Sequence, residues 1–154
     1  MAQYTGHMPM ACGKVETSTT CEAEGWLDVS GGVQSVQDTE QTRKSGEAYT
    51  ISGDTAAIGA GKREPMELTF VILYTEADAE LYQVVRAQFE AACGGDFCVR
   101  WSPSGGGAGS EWITSGKGIL VGFTYPPLDA SSGGPILGGF KVKVPYVETV
   151  TLDS

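Results

Sequence analysis

LYTEADAELYQVVRAQFEAACGGDFCVRWSP, residues 73–103, holds the one extended helical rhythm in the chain. Thr75 is placed to cap the N-terminus of a helix, with Asp78 three residues on as a weaker capping box. Glu76, Asp78 and Glu80 would put negative charge where the macrodipole favours it. Leu81, Val84, Val85, Gln88, Phe89 and Ala92 recur at intervals of three and four, one mostly apolar stripe. Gly94-Gly95 offers the left-handed residue that commonly ends a helix. The spacing predicts a helix over about residues 76–93, with Leu81, Val84, Val85 and Phe89 packing on a sheet. On this reading Phe89→Asp should prevent folding.

Outward from that helix the sequence turns to strands. N-terminal to it, Met66, Leu68, Phe70, Ile72 and Tyr74 alternate along MELTFVILY, the period of a half-buried strand, with Val71 and Leu73 on the other face. C-terminal to it come FCVRW (97–101), a glycine loop at 103–110, and EWITSGKGILVGFTY (111–125), where Ile119, Val121 and Phe123 alternate. GGFKVKVPY closes the pattern, with Phe140, Val142, Val144 and Tyr146 on one face and Lys141 and Lys143 on the other. Near the start, KVETSTTC (14–21) reads as a strand, and Trp26–Val29 begins another that Gly31-Gly32 interrupts before VQSVQ. Residues 1–13 read as an arm. Residues 38–64 contain four glycines and few core-forming side chains, and read as a long loop inserted into the domain. The fold class expected is α+β, mainly β: a β-sandwich or open barrel with one flanking helix, in a single domain over 14–154.

Bulk properties narrow the function classes. At 154 residues the chain has the length of one domain, and 41% hydrophobic with 19% charged residues suits a folded one. The net charge of −9 is spread along the chain, which disfavours phosphate-neutralising nucleic-acid binding. No apolar run approaches the ~20 residues of a membrane span. The first residues lack the basic and apolar regions of a signal peptide, so folding in a cytoplasm is expected, with Cys12, Cys21, Cys93 and Cys98 as reduced thiols.

The chemical motifs are weak. GAGKRE (59–64) has Ala56 where a P-loop needs its first glycine and Arg63 where it needs Ser or Thr. GGGAG (105–109) opens no helix. The cysteines are not spaced for a zinc site, and His7, the sole histidine, lies in the arm, where a catalytic triad would be poorly preorganised. No enzyme activity, cofactor or metal is expected. Trp26, Trp101 and Trp112, with the six tyrosines, could form a sugar-stacking platform, the basis of a carbohydrate-binding alternative; Trp101 shares phase with Phe97 and Val99, which favours the core for it.

The order of segments carries a resemblance. A Trp26-Leu27-x-Val29 strand leads through GEAYTISGD (46–54) to GKREPMELTF (61–70). LYQVVRAQFEAAC (81–93), VRWSP (99–103), GKGILVGFTYPPLDASSGGP (116–135) and FKVKVPYVE (140–148) follow. This series resembles the major tail tube proteins of long-tailed, non-contractile bacteriophages. The resemblance implies a virion protein assembled in the host cytoplasm into hexameric rings. The rings stack into a tube, meet other tail proteins at its ends, and pass DNA through an acidic lumen without binding it. It also implies that the 38–64 loop reaches a neighbouring subunit or ring, making Arg43, Lys44, Glu47, Tyr49, Lys62, Arg63 and Glu64 the expected interface residues. A ring protein of a related secretion tube, or a tail terminator, is the alternative with the same fold.

Overall fold

The alternation at 66–73 becomes a strand whose Met66, Leu68, Phe70 and Ile72 are all buried, and the rest of the core is assembled around it. The structure is a computed structural model and describes residues 13–22, 24–91, 95–131 and 133–151. In chain order the strands are β1 (Lys14–Ser18), β2 (Leu27–Asp28), β3 (Val33–Gln37), β4 (Arg43–Ala48), β5 (Ala57–Arg63) and β6 (Met66–Leu73). Helix α1 (Leu81–Glu90) follows, then β7 (Asp96–Ser102), β8 (Glu111–Ser115), β9 (Gly118–Thr124), β10 (Leu137–Val144) and β11 (Val147–Thr151). His7, Cys12, Ala92, Cys93, Gly94 and most of the proposed arm lie outside the described residues.

Two antiparallel layers share β7. Its first residues, Asp96 and Phe97, pair with Ile119 and Gly118 of β9, and so join the layer β9–β10–β6–β3. From Cys98 onward β7 pairs with β1, and Arg100 and Trp101 pair with β8, giving the layer β2–β1–β7–β8–β11. Between them lie Phe70, Ile72, Phe97, Val99, Phe140, Val142 and Val144. The Phe70 and Phe140 rings stack at 4.7 Å and Phe97 meets Phe140 edge-on at 5.5 Å. Each such side chain contributes about 1.5–3 kcal/mol of hydrophobic stabilisation. The protein is mainly β, a sandwich-like open barrel with one flanking helix.

The helix is shorter than its sequence pattern. It begins at Leu81 with Glu80 as an extended N-cap, and no side chain caps it. Thr75 is not available for that role: Tyr74 still donates its backbone N–H to Ile136, and Gln83 Nε2 donates to the Thr75 carbonyl at 2.9 Å. These bonds hold 74–75 in the strand's continuation, so Glu76, Asp78 and Glu80 lie in an exposed turn ahead of the helix. At the other end Ala91 leaves the helical region at ψ 143°. Leu81, Tyr82 and Val85 are buried in the common core, whereas Val84 and Phe89 are half-buried. Phe89 lies against Phe123 at 5.9 Å.

Three further strand expectations change. Residues 38–64 are not a loop: β4 and β5 pair into a two-stranded ribbon separate from the main sheet. The run 111–125 breaks at Gly116 into β8 and β9, because Gly116 donates to the Tyr146 carbonyl and the chain turns there. Within β9 the parity slips: Lys141 pairs with Gly122 but Val142 with Leu120, so Val121 is an extra residue. Leu120 and Phe123 therefore face the core, while Ile119 and Val121 face out.

Candidate assembly surface

All seven interface candidates lie within the ribbon's strands or directly beside them: Arg43, Lys44 and Glu47 in β4, Lys62 and Arg63 in β5, and Tyr49 and Glu64 at the strand ends. Every residue of β4 and β5 is exposed. Its composition explains both the exposure and the missed strands: Gly46, Ala48, Ala57, Gly59, Ala60 and Gly61 offer nothing to bury. At its root Glu64 donates its N–H to the Thr42 carbonyl at 2.8 Å, and Thr42 Oγ1 donates back to the Glu64 carboxylate at 3.2 Å. Arg43 and Arg63 are paired across the strands. Arg43 Nη1 donates to the Gly61 carbonyl at 3.2 Å, inside the ribbon. Arg63 Nη1 donates to the Val147 carbonyl at 3.4 Å, and its guanidinium lies 5.2 Å from the Tyr146 ring. Arg63 thus braces the ribbon on the sandwich, while Arg43 ties the ribbon's two strands together. Lys44 and Lys62 are exposed, and among the described residues neither forms an ion pair.

β5 carries one extra residue opposite Lys44, since Ser45 pairs with Ala60 while Arg43 pairs with Arg63. Gly61 sits at that irregularity, where a Cβ would lie 2.7 Å from the Lys44 carbonyl oxygen. Only glycine fits. Toward the free end Glu47 pairs with Ile58. Tyr49, Ile51 and Ile58 are among the most exposed large apolar side chains described, at 72%, 107% and 77%. Ile51 and Ile58 were not among the sequence candidates. Their signal was available: they are apolar residues in a segment with no core to join.

The opposite end of the layer β9–β10–β6–β3 has its own exposed cluster. The β9–β10 connection presents Tyr125, Leu128 and Ile136 to solvent. Beside it runs the acidic turn, tied to this connection by the Tyr74-to-Ile136 hydrogen bond. Tyr74 donates its hydroxyl to Glu76 at 3.0 Å, and that bond pushes the phenol's pKa up. Asp129 accepts from the Ser131 hydroxyl and N–H, which hold its carboxyl below the usual range.

The tryptophans do not form a sugar platform. Trp112 is buried, and the Arg100 guanidinium lies 4.5 Å from the Trp26 ring and 4.8 Å from the Trp112 ring. Arg100 in turn bonds Glu16 at 2.6 Å. The outer face of the β1–β7–β8 layer is thus closed by an aromatic–arginine stack. Gly106, at φ +76°, passes so close to Trp112 that a Cβ would overlap its ring at 2.4 Å. Nearby, Cys21 and Cys98 form a disulfide across 5.4 Å between Cα atoms, which overturns the reading of both as free thiols. Ser18 makes this juxtaposition, since its Oγ accepts from the Cys21 N–H at 2.9 Å and fixes the turn at φ +60°. Two cysteines 77 apart in sequence gave no spacing signal of it.

Among the described residues no cluster of His, Cys, Asp or Glu could hold a metal ion, and no helix is long and apolar enough to cross a membrane.

No protein-family model matches the sequence, and no curated protein matches it. Solved structures match its fold across nearly the whole chain. A chain from the sheath/tube terminator of an extracellular contractile injection system (PVC, extended state) superposes with a TM-score of 0.72. It shares 12% identity over 98% of this chain and 100% of that one. A chain from the tube-terminating cap of the anti-feeding prophage gives 0.69 at 14% identity, over 98% and 94%. A chain from the PVC sheath–tube complex gives 0.66 at 12%, over 96% and 94%. At such identities the likeness is one of fold. The chain has a tail-tube-like fold, and the likeness extends to contractile particles rather than singling out the non-contractile tails of the sequence resemblance. These neighbours come from tube, sheath and terminator assemblies.

Proposed function

We propose that this chain is a structural subunit of a phage-tail-like particle, self-assembling into hexameric rings that stack into a tube. The observation that carries the reading is the ribbon β4–β5. It is a two-stranded sheet with every residue exposed and three large apolar side chains at its free end. An isolated hairpin is marginal in water, so a neighbour is needed to bury it. A heterologous contact between copies closes into rings or propagates as a filament, according to its rotation. The net charge of −9 supports a conduit for DNA, because a surface short of clustered Lys and Arg does not retain phosphates. The segment order favours the tube of a non-contractile phage tail, with the particle assembled in the host cytoplasm.

The likeness to a tube terminator and a terminating cap favours a second reading, a ring that ends a tube. Negative-stain microscopy of the purified protein separates the two. Long tubes with a central channel support the tube subunit, and single rings support the terminator. A protein that stays monomeric at all concentrations in sedimentation would overturn both.

A further inference from the structure

Cys21 and Cys98 are bonded in a chain whose proposed place of assembly keeps thiols reduced. The backbone brings the two residues together without help from the sulfurs. Ser18 of β1 pairs directly with Cys98 of β7, and the Ser18 hydroxyl accepts the Thr20 and Cys21 N–H groups at 3.3 and 2.9 Å. That turn sets Cys21 beside its partner. The buried sulfur is provided for in the dithiol form as well: Cys98 Sγ lies 3.5 Å from the Gly116 carbonyl oxygen, an acceptor that a thiol S–H can use. Opening the bond therefore orphans no buried donor and leaves the turn supported.

The two sulfurs differ in access. Cys98 is 3% exposed, whereas Cys21 is half-buried between exposed Thr20 and Glu22. In thiol–disulfide exchange the attacking sulfur must reach the incoming disulfide, so the folded dithiol has one point of entry. The position of the bond gives exchange a structural consequence. Phe97 still pairs with Gly118 of β9, and Cys98 is the first residue of β7 to pair with β1. The bond fastens the turn after β1 to the residue at which β7 crosses between the layers.

We infer that Cys21 and Cys98 form an exchange site for an oxidised low-molecular-weight thiol, with Cys21 as the entry sulfur and Cys98 as the resolving one. The Cys21 thiolate attacks the small disulfide and releases one small thiolate, leaving a mixed disulfide on Cys21. The Cys98 thiolate then attacks the Cys21 sulfur and releases the second. The protein loses two electrons and two protons, and the small disulfide gains both to become two thiols. On the reading that the particle assembles in a host cytoplasm, the chain folds and assembles as the dithiol. The staple closes when the particle meets oxidising surroundings.

Glutathione disulfide is the probe, added to the full chain after reduction and removal of reductant. Fragmentation mass spectrometry assigns each modified residue, so that Cys12 and Cys93 are read separately. In wild type quenched early the mixed disulfide should sit on Cys21, and the end product should be the intramolecular bond. Cys98→Ser should accumulate the mixed disulfide on Cys21, whereas Cys21→Ser should be modified at Cys98 at least tenfold more slowly. Equal rates at the two sulfurs, an early adduct on Cys98, or wild type that stops at the mixed disulfide would overturn the exchange site. Sedimentation of wild type with and without dithiothreitol tests the order of events. Assembly of both forms, with the oxidised particle surviving a higher urea concentration, supports it. Assembly of the oxidised form alone overturns the order and leaves the exchange site standing. Assembly of neither form overturns the self-assembly reading, while the modification rates still decide the exchange site.

Discussion

Arg100 reaches one carboxylate oxygen of Glu16 twice across β7 and β1, through Nη2 at 2.6 Å and Nε at 3.2 Å. Glu16 is only 8% exposed, and Lys14 at 3.7 Å is its other cation. Removing the guanidinium leaves this nearly buried carboxylate short of its main partner. Arg100→Met, which keeps most of the volume, should cost about 2–4 kcal/mol, near the lower part of the range for broken buried pairs because Lys14 remains. Urea denaturation would read this as a lower midpoint at unchanged slope. The double variant with Glu16→Gln should recover part of the loss, since the two residues act as a coupled pair. Wild-type stability in Arg100→Met would show the stack to be decorative.

The disulfide gives a second expectation. It joins residues 77 apart, so it removes a large closed loop from the freedom of the unfolded chain. Cys21→Ser should lower stability by about 2–4 kcal/mol in the absence of reductant. With dithiothreitol present, wild type and variant should unfold at nearly the same urea concentration. Ser18 holds the turn at Cys21 without help from sulfur, so both forms should still fold. Identical unfolding midpoints without reductant would mean that the bond contributes nothing.

Burial on α1 reorders the expected sensitivity of its apolar stripe. Val85 is fully buried, whereas Phe89 is half-buried beside Phe123. Val85→Asp places a charge in the buried core and should abolish folding. Phe89→Asp can turn its carboxylate toward water and should lose about 1–3 kcal/mol while remaining folded. Circular dichroism and thermal melts of the two variants check the order. Unfolding of Phe89→Asp with survival of Val85→Asp would reverse it.

What the sequence made legible depended on burial. β6 and β10 alternate because one face of each is covered, and Phe140, Val142 and Val144 fall where the pattern puts them. The helix was visible as a stripe, but its start was not, because the bonds from Tyr74 to Ile136 and from Gln83 to Thr75 are tertiary. Tyr82 was missed for a similar reason: it lies off the stripe, and Tyr74 and Phe123 from other strands make its pocket. β4 and β5 left no periodic trace since neither face is buried within the chain. The bulge at Val121 and the Cys21–Cys98 bond depend on which strands become neighbours, which no local pattern records. The basic residues at the ribbon root were legible by charge alone, though the bond of Arg43 across the ribbon and that of Arg63 to the sandwich were not.

The ribbon can be tested without disturbing the core. A Cβ at position 61 would lie 2.7 Å from the Lys44 carbonyl oxygen, closer than the strands permit, whereas one at position 46 would meet nothing within 4 Å. Gly61→Val should therefore distort the ribbon, and Gly46→Ala should not. Neither residue touches the sandwich core, so thermal stability should stay within about 0.5 kcal/mol of wild type in both variants. Assembly should separate them: sedimentation and negative-stain microscopy should show wild-type particles for Gly46→Ala and mainly unassembled protein for Gly61→Val. Normal particles from Gly61→Val, with its distorted ribbon confirmed by altered amide exchange at β4 and β5, would remove the ribbon from the assembly mechanism. A large loss of melting temperature in the same variant would instead show that the ribbon is part of the folded unit's own stability.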